Sequence, residues 1–202
     1  MGHTFTKTIK CACKKCNESW MGDIEESAMP ILTPIMSGHP IQIDYDNQTK
    51  LAEWLTLKFL VADCDRDTTP IASKKMLTAF MKNREIPGGL KIWIAHHNSF
   101  EWSAGVWALG LTMSFTPKKP SGRLRNNVKT FAFGVGHLFS LTFLSLLDGI
   151  DLEIDNPLTP NLWPSNFSTI GWPTPLVSHN DLGTLANIIE GLESRPDVTW
   201  GP

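Results

Sequence analysis

Apolar residues along the chain follow two different spacings, and the change between them separates a helical part from a strand-rich part. In the first part, apolar positions recur every three or four residues, which is the period of one helix face. This spacing predicts helices over 48–62 and 71–83, preceded by a helix that begins near residue 17. The apolar stripe of that first helix consists of Trp20, Ile24, Ala28, Ile31 and Ile35.

The ends of the first helix are predicted from its polar residues and its prolines. Asn17 can cap the N-terminus, and Glu18 and Asp23 suit the positive end of the helix dipole. Pro30 and Pro34 should kink or end the helix, because proline lacks a backbone N–H and clashes with the preceding turn. We therefore expect a loop over 34–40.

Strands are predicted in the second part, where short apolar runs are bounded by glycine and proline. Ile92 and Ile94 should lie on one face of their strand, since side chains alternate along a strand. Gly134 and Gly136 permit a bulge, so 129–147 should hold one long bent strand or two short ones. The remaining predictions are strands over 90–96 and 105–115, irregular proline-rich chain over 155–178, and a last helix over 181–193.

Helices and strands are thus segregated along the chain instead of alternating. Segregation favours the α+β class over a parallel α/β sheet. The predicted order is a knuckle and helix at the N-terminus, a helical segment, an antiparallel β region and a C-terminal helix. A chain of 202 residues is long enough to bury a substantial core.

Charge and hydropathy bear on the partners of the protein and on its location in the cell. The formal net charge of −2 gives no overall field that would favour nucleic acid or a membrane surface. The apolar run over 131–147 is interrupted by small and polar residues, which is not typical of a membrane-spanning helix. The first ten residues lack the apolar core of a secretory signal. We therefore expect a cytoplasmic protein without a membrane partner.

Cysteine spacing is the most informative chemical signal in the chain. Cys11, Cys13 and Cys16 lie within six residues, where metal ligation is more plausible than a disulfide framework in a cytosolic protein. A C-x-x-C pair such as Cys13 and Cys16 can hold one edge of a tetrahedral zinc ion, and Lys14 and Lys15 favour the thiolates. The alternative is a pair of surface thiols without a metal.

A complete zinc site needs two further ligands, and three residues are candidates for them. Cys11 is one residue from Cys13 on an extended chain, so it should point the other way and act as a small buried apolar residue. Cys64 follows an apolar helix and is expected in the core or at the helix end. His3 is the third candidate, and it lies close to the terminus, where we expect fraying.

The segment around the C-x-x-C pair resembles a known family. It reads Cys13-Lys-Lys-Cys-Asn-Glu-Ser-Trp-Met21, followed by an acidic helix and by Pro-Ile-Leu32. This run is similar to the second half of the zinc knuckle in HNH-type endonucleases, especially in a bacterial and phage subgroup. Four further features follow in the order typical of that subgroup's accessory region. They are Trp54 with Lys58, Ile92-Trp-Ile94, Phe133-Gly-Val-Gly136 and Leu162-Trp-Pro164.

The resemblance implies roles for three residues and a division of the chain. Cys13 and Cys16 would be structural zinc ligands, and Asn17 would be the final member of the catalytic triad. In that family a divalent ion such as Mg²⁺ polarises the scissile phosphate, and a histidine on a preceding strand activates water. The implied division is a partial knuckle and helix over 1–40 and an α+β accessory domain over 41–202.

The resemblance covers only the second half of the family's nuclease finger. The first half normally carries another cysteine pair and the general-base histidine, usually followed by proline. Here His3 is the one histidine before the knuckle, and neither an acidic residue nor a proline accompanies it. We therefore expect a family member without its N-terminal half, incomplete as a nuclease.

Three functions remain open from the sequence. The first is an HNH endonuclease relative, and the second is a non-catalytic module that binds nucleic acid or protein. The third is an unrelated structural protein with a coincidental knuckle. Contact with DNA would use a set of basic residues, some beside the knuckle and some in a polar loop. They are Lys14, Lys15, Lys118, Lys119, Arg123 and Arg125.

Histidines in the strand-rich part resemble a metal site only superficially. His96 and His97 end a predicted strand, and neighbours on a strand point to opposite faces, so they cannot chelate one ion together. We expect one of them to face solvent. His137 lies in an apolar run and is expected to be structural, within a strand.

Overall fold

The computed structural model describes residues 2–3, 12–64, 69–114, 126–190 and 199–200. The helices in these residues are α1 (Lys14–Cys16), α2 (Gly22–Met36), α3 (Tyr45–Asp63), α4 (Lys74–Asn83) and α5 (His179–Ala186), with a turn at Asn17–Met21 that is kinked at Ser19 and a 3₁₀ turn at Trp102–Ala104. The strands are β1 (Gly2–His3), β2 (Ile41–Ile43), β3 (Leu90–His96), β4 (Gly105–Leu111), β5 (Met113–Ser114), β6 (Val128–Val135), β7 (Leu138–Ser145), β8 (Asn161–Trp163), β9 (Ile170–Trp172) and β10 (Thr199–Trp200).

Six strands form one antiparallel sheet in the order β1-β4-β6-β7-β3-β8. Two smaller pairs, β2 with β9 and β5 with β10, are also antiparallel. Together with helices gathered mainly before β3 and at α5, this arrangement confirms the predicted α+β class. The predicted strand over 90–96 matches β3, and the strand over 105–115 is divided between β4 and β5.

The large sheet separates two apolar cores, because both of its faces are covered. Ile92 and Ile94 of β3 pack on the side of α2 and α3, as predicted from their alternation. Trp93 and Ala95 belong to the opposite core, which α5 and the segment that follows β7 complete. Because both faces are covered, nearly every residue of β6 and β7 is buried, including the polar Lys129, Thr130, Ser140 and Thr142.

Helix α2 continues through both of its prolines, so the predicted loop over 34–40 is wrong in its first three residues. The helix ends at Met36, and both Pro30 and Pro34 lie inside it. Ile31 and Ile35 are fully buried in the core shared with α3. Their burial stabilises the helical path and offsets the backbone hydrogen bonds that the prolines lose.

A two-residue turn joins β6 to β7, where the sequence suggested a bulge. Gly136 occupies this turn with φ of +57°, a conformation that favours glycine. Its backbone N–H donates to Ser103 O at 2.9 Å, and the N–H of His137 donates to Met36 O at 2.9 Å. A Cβ at position 136 would lie 2.3 Å from Met36 O. The turn therefore packs directly against the C-terminal end of α2.

The region predicted to be irregular contains two short strands, β8 and β9. Pro160 and Pro164 flank β8, and Ile94 N–H donates to Pro160 O at 3.2 Å. The last helix begins at His179, two residues earlier than predicted, because Ser178 caps it by accepting from Asp181 N–H. The helix ends at Ala186, so residues 187–190 of the predicted helix are not part of α5, and residues 191–193 lie outside the described residues. In the described part of the chain, no helix has the length and apolar character needed to cross a bilayer.

A buried ion pair connects α3 to the sheet. Lys129 Nζ on β6 donates to Asp63 Oδ1 at 2.6 Å, and these side chains are 3% and 2% exposed. The Asp63 carboxylate also accepts from the backbone N–H groups of Ile71 and Ala72. Several donors therefore saturate this carboxylate, as a buried charge requires.

Candidate metal-binding knuckle

The two cysteines of the C-x-x-C pair lie side by side on the turn that opens the N-terminal helix. Cys13 Sγ and Cys16 Sγ are 2.9 Å apart. Cys13 has an extended backbone and is the N-cap, and its Sγ accepts from Cys16 N–H at 3.1 Å. The Cys13 side chain is exposed, whereas Cys16 is half-buried. The pair therefore presents two sulfur atoms on one side of a tight turn.

Hydrogen bonding favours the thiolate at Cys13. The contact with the Cys16 thiol, followed by the backbone N–H of Cys16, lowers the pKa of the Cys13 thiol. A thiolate is both the nucleophilic and the metal-binding form of cysteine. The geometry thus prepares Cys13 for soft-metal ligation or for thiol chemistry.

These two thiols would supply half of a four-coordinate zinc site. The described residues contain no cluster of three or more His, Cys, Asp or Glu side chains that could hold an ion. Cys64 is the C-cap residue of α3 and half-buried, in agreement with its predicted place at a helix end. Cys11 lies outside the described residues. Thiolates are ligands that zinc prefers, but the two Sγ atoms lie closer than the roughly 3.8 Å that separates two sulfur ligands of a tetrahedral zinc ion, so both side chains would have to move apart on binding.

Asn17 does not cap the helix, so that prediction is wrong. Its backbone is helical, with φ of −65° and ψ of −40°, and its N–H donates to Cys13 O at 3.0 Å. The cap is Cys13, four residues earlier, because its extended backbone and free Sγ satisfy the first turn. Asn17 instead begins the turn between α1 and α2, which is kinked at Ser19, and the Asn17 side chain is exposed. It is therefore accessible to a ligand.

Lys14 and Lys15 lie in α1, so the chain after Cys13 is helical. Both side chains are exposed, and Lys14 Nζ lies 3.6 Å from Glu18 Oε1 one turn later. This pair reduces the local positive charge. The other predicted nucleic-acid contacts, at residues 118, 119, 123 and 125, lie outside the described residues. The backbone of His3 in β1 pairs with Gly105 of β4, whereas a frayed terminus was expected.

An apolar cavity of about 220 Å³ lies against the knuckle. Cys13, Cys16 and Cys64 line it together with residues of the first turns, α3 and α4. Trp20 forms one wall and meets Phe80 edge to face, with ring centroids 6.2 Å apart. The sequence did not reveal this cavity, because its walls come from three helices that are distant in the chain.

Arg84 and Glu25 attach the knuckle helix to the rest of the domain. Arg84 lies over the Trp20 ring and donates to Trp20 O at 3.0 Å. Glu25 on α2 accepts from Trp54 Nε1 at 2.6 Å and from Lys58 Nζ on α3. Trp54 and Lys58, which the family resemblance singled out, thus hold α2 against α3. Helix α2 follows the turn that carries Asn17, and it is held by Arg84 at Trp20 just before its start and by the hairpin turn at Met36.

The histidines differ from their predicted places. His97 follows the end of β3 and is fully buried, whereas His96 is half-buried, so neither is the solvent-facing residue expected. His137 lies in the β6–β7 turn and not in a strand, and its Nδ1 is 2.7 Å from His97 O. The His96 and His137 rings are 5.6 Å apart. These side chains brace the sheet end and form no common ligand set.

No family model, curated protein or solved structure matches this chain. The resemblance to HNH-type endonucleases and the division at residue 40 therefore stay predictions from the sequence. Helix α2 belongs to the predicted N-terminal part of that division, and it shares its apolar core with α3 and the large sheet.

Proposed function

We propose that this chain is an HNH endonuclease-like protein whose knuckle places Asn17 on the turn that leads into the anchored helix α2. One observation supports the proposal above all. The Cys13 and Cys16 thiols lie 2.9 Å apart on the turn that opens the helix, and Asn17 comes next in the chain with an exposed side chain. In intact relatives, the resemblance implies, a divalent ion polarises the scissile phosphate and a histidine activates water.

The residues of this chain have separate parts in that proposal. Cys13 and Cys16 would bind a structural zinc ion, which would fix the turn and so the direction of the Asn17 side chain. Asn17 would offer one amide oxygen to a divalent ion such as Mg²⁺ or one donor to a phosphate. An octahedral Mg²⁺ ion needs more ligands than that oxygen. We therefore propose that the chain as given does not hydrolyse phosphodiesters.

Incubation with supercoiled plasmid and Mg²⁺, Mn²⁺ or Ni²⁺ tests this proposal. We expect no nicking above background, because loss of a positioned general base alone costs on the order of 10²–10⁴-fold in rate. Asn17→Ala is the matched control, since position 17 is exposed and the substitution leaves the Cys13 cap intact. Metal-dependent nicking that vanishes in Asn17→Ala would show that the chain has a complete active site.

A non-catalytic binding module is the second candidate, and the exposure of Lys14 and Lys15 on the knuckle favours it. Such a module would use these lysines and the loop residues Lys118, Lys119, Arg123 and Arg125 to contact DNA phosphates. Affinity for DNA should then fall steeply as salt rises, since each phosphate contact releases counterions.

Gel shifts at two salt concentrations distinguish this candidate from a module that binds protein. Replacing Lys14 and Lys15 by Gln should weaken binding to all DNA sequences alike and reduce the salt dependence. Lys50→Gln combined with Lys82→Gln, at exposed positions on α3 and α4, is the control with the same loss of two positive charges. Binding that is absent at low salt, or equally affected by this control, would argue against a nucleic-acid module that uses the knuckle.

A further inference from the structure

The two thiols of the knuckle are a complete set of groups for one reaction that needs no metal ion. Cys13 Sγ and Cys16 Sγ are 2.9 Å apart, and a disulfide bond would bring them to about 2.05 Å. A zinc ion would instead need two further ligands and would move these sulfurs apart. A disulfide needs only the two sulfur atoms that the turn already brings together.

The two cysteines differ in exposure, and this difference assigns them an order of reaction. Cys13 is exposed, and the N–H of Cys16 donates to its Sγ at 3.1 Å, which holds this sulfur over the turn. Cys16 is half-buried and packs against the core that α2 shares with α3. A thiol must be accessible to attack an incoming disulfide. Cys13 is therefore the thiol that meets a substrate first, and Cys16 lies beside it for the second step.

The apolar cavity of about 220 Å³ beside the pair offers a place for part of a substrate. Exposed Cys13, Lys74 and Met81 line it, so the cavity reaches the surface, and Trp20 and Phe80 belong to its apolar walls. An apolar cavity of about 150 Å³ is enough for benzene, so this volume suits one aromatic side chain. Because a peptide is flexible, a side chain next to its cysteine can reach the cavity whichever way the Cys13 sulfur points.

We propose that the knuckle carries out thiol–disulfide exchange on peptide disulfides that have an apolar side chain next to the cysteine. The Cys13 thiolate attacks one substrate sulfur, which forms a mixed disulfide, and the other half of the substrate leaves as a thiolate. The Cys16 thiolate then attacks Cys13 Sγ, which forms the Cys13–Cys16 disulfide and releases the second half. The two protons of the protein thiols end on the two product thiols. A low-molecular-weight thiol such as glutathione restores the dithiol and is itself oxidised to its disulfide.

This activity goes beyond the proposed nuclease relationship, and its test is separate from that of the nuclease. A thiolate that binds zinc is not available as a nucleophile, so exchange is measured with a chelator present. Plasmid nicking requires a divalent ion and does not report on the dithiol. Either result can therefore fail while the other stands.

Trapping of the mixed disulfide tests the order of attack. The probe is the symmetrical disulfide of N-acetyl-Cys-Phe-amide, and intact mass follows the protein. Cys16→Ser should gain one half of the probe and stop there, whereas the wild type should lose two hydrogen atoms and release both halves. Cys13→Ser should react about tenfold more slowly or less. Cys64→Ser, which removes another thiol that lines the cavity, is the control and should react like the wild type.

Peptide mapping identifies the sulfur that carries the probe. All of these proteins also carry Cys11→Ser, because Cys11 and Cys13 lie in one tryptic peptide. Trypsin cuts after Lys14 and Lys15, so a Cys13–Cys16 disulfide keeps two peptides together until a reductant separates them. We expect this linked pair in the oxidised wild type and in Cys64→Ser.

A second pair of probes tests the part of the cavity. The symmetrical disulfide of N-acetyl-Cys-Gly-amide has the same sulfur chemistry without the apolar side chain. After each rate is divided by the rate of the same probe with dithiothreitol, the Phe probe should react about three- to tenfold faster than the Gly probe.

Thr78→Trp should remove this preference, because Thr78 lines the cavity and a large side chain there would fill it. Thr49→Trp is the matched control. Both threonines are half-buried on a helix and donate Oγ–H to the carbonyl four residues earlier, but Thr49 is not part of the cavity wall.

Three results would overturn the proposal. The first is a Cys16→Ser protein that gains no probe on Cys13, and the second is a wild type that keeps the probe attached. The third is an equal corrected rate for the Phe and Gly probes, or a preference that Thr78→Trp and Thr49→Trp change alike.

Discussion

Two polar sites near α3 differ in how completely their chemistry is used. At the Asp63–Lys129 pair, both side chains are almost fully buried and the carboxylate accepts from three residues. At the knuckle, Cys13 is exposed and its Sγ has one thiol and one backbone N–H beside it. A site that is saturated from within the chain holds the fold together. An exposed site with few partners is available to a metal ion or another molecule.

Removing the buried carboxylate should give the largest effect on stability. Asp63→Ala leaves the Lys129 ammonium buried without its counter-ion and removes the acceptor of Ile71 and Ala72 N–H. We expect a loss of about 3–5 kcal/mol in the free energy of unfolding, measured by urea denaturation. Glu25→Gln, at the half-exposed pair with Lys58, is the control and should cost less than about 1 kcal/mol. Equal losses in both variants would show that the buried pair is not specially important.

The helix that carries the knuckle should be the next most sensitive element. Ile24 is 2% exposed and packs in the core between α2 and α3. Ile24→Ala should therefore lower the free energy of unfolding by roughly 2–5 kcal/mol, from lost burial and the cavity left behind. Met29 lies on the exposed face of the same helix, so Met29→Ala should change it by no more than about 0.5 kcal/mol. A loss below half a kcal/mol for Ile24→Ala would mean that the stripe is not a core face.

His97 should make the domain less stable in acid. Burial, with smaller effects of His137 and His96, lowers the pKa of His97 to about 4. The unfolded chain takes up a proton near the ordinary pKa of about 6.5. The fold therefore favours the neutral imidazole of His97. The contribution of this imidazole to the free energy of unfolding is complete above pH 6.5 and is lost as the pH falls towards 4. We expect a loss on the order of 2 kcal/mol over this window.

His97→Asn tests this assignment, because Asn Oδ1 can replace Nδ1 as the acceptor of Ser99 N–H without titrating. The variant should have a flatter dependence of unfolding free energy on pH between 4 and 6.5. His39→Asn, at an exposed position, is the control. An unchanged slope in His97→Asn would show that other groups cause the acid sensitivity.

The smallest effect on intrinsic stability is expected at the open site. Replacing Cys13 and Cys16 by Ser should change the free energy of unfolding by less than about 0.5 kcal/mol when metal is absent. Metal analysis should find about one zinc or less per wild-type chain, weakly held, and none in the double variant. Stoichiometric zinc that survives both substitutions would exclude these thiols as the ligands.

Sequence pattern predicted β3 and the buried stripe of α2 because both depend on regular spacing. Leu90–His96 alternates between two cores, and Ile24, Ala28 and Ile31 repeat at helical spacing and are buried. Trp20, at the start of that stripe, is only half-buried, since it forms a wall of the knuckle cavity. The rule that proline ends a helix failed at Pro30, because tertiary packing keeps this residue inside α2.

The cysteine pair could be predicted from the sequence and the buried ion pair could not, because the two pairs differ in how far apart their residues lie along the chain. Cys13 and Cys16 are three residues apart, so their spacing alone indicated a shared turn. Asp63 and Lys129 are 66 residues apart, and no local pattern pairs them. Asn17 was assigned as the helix cap because Asn is a frequent cap, but the Cys13 Sγ occupies that role.

The proline pair around β8 has a consequence for how separate copies of this chain meet. An outer strand normally offers unpaired N–H and C=O groups to a strand from another molecule, which is a common start of aggregation. Here Asn161–Trp163 is only three residues long, and Pro160 and Pro164 on either side have no N–H to donate. An incoming strand would find a ladder too short to hold it, so this border of the sheet is protected against edge-to-edge association.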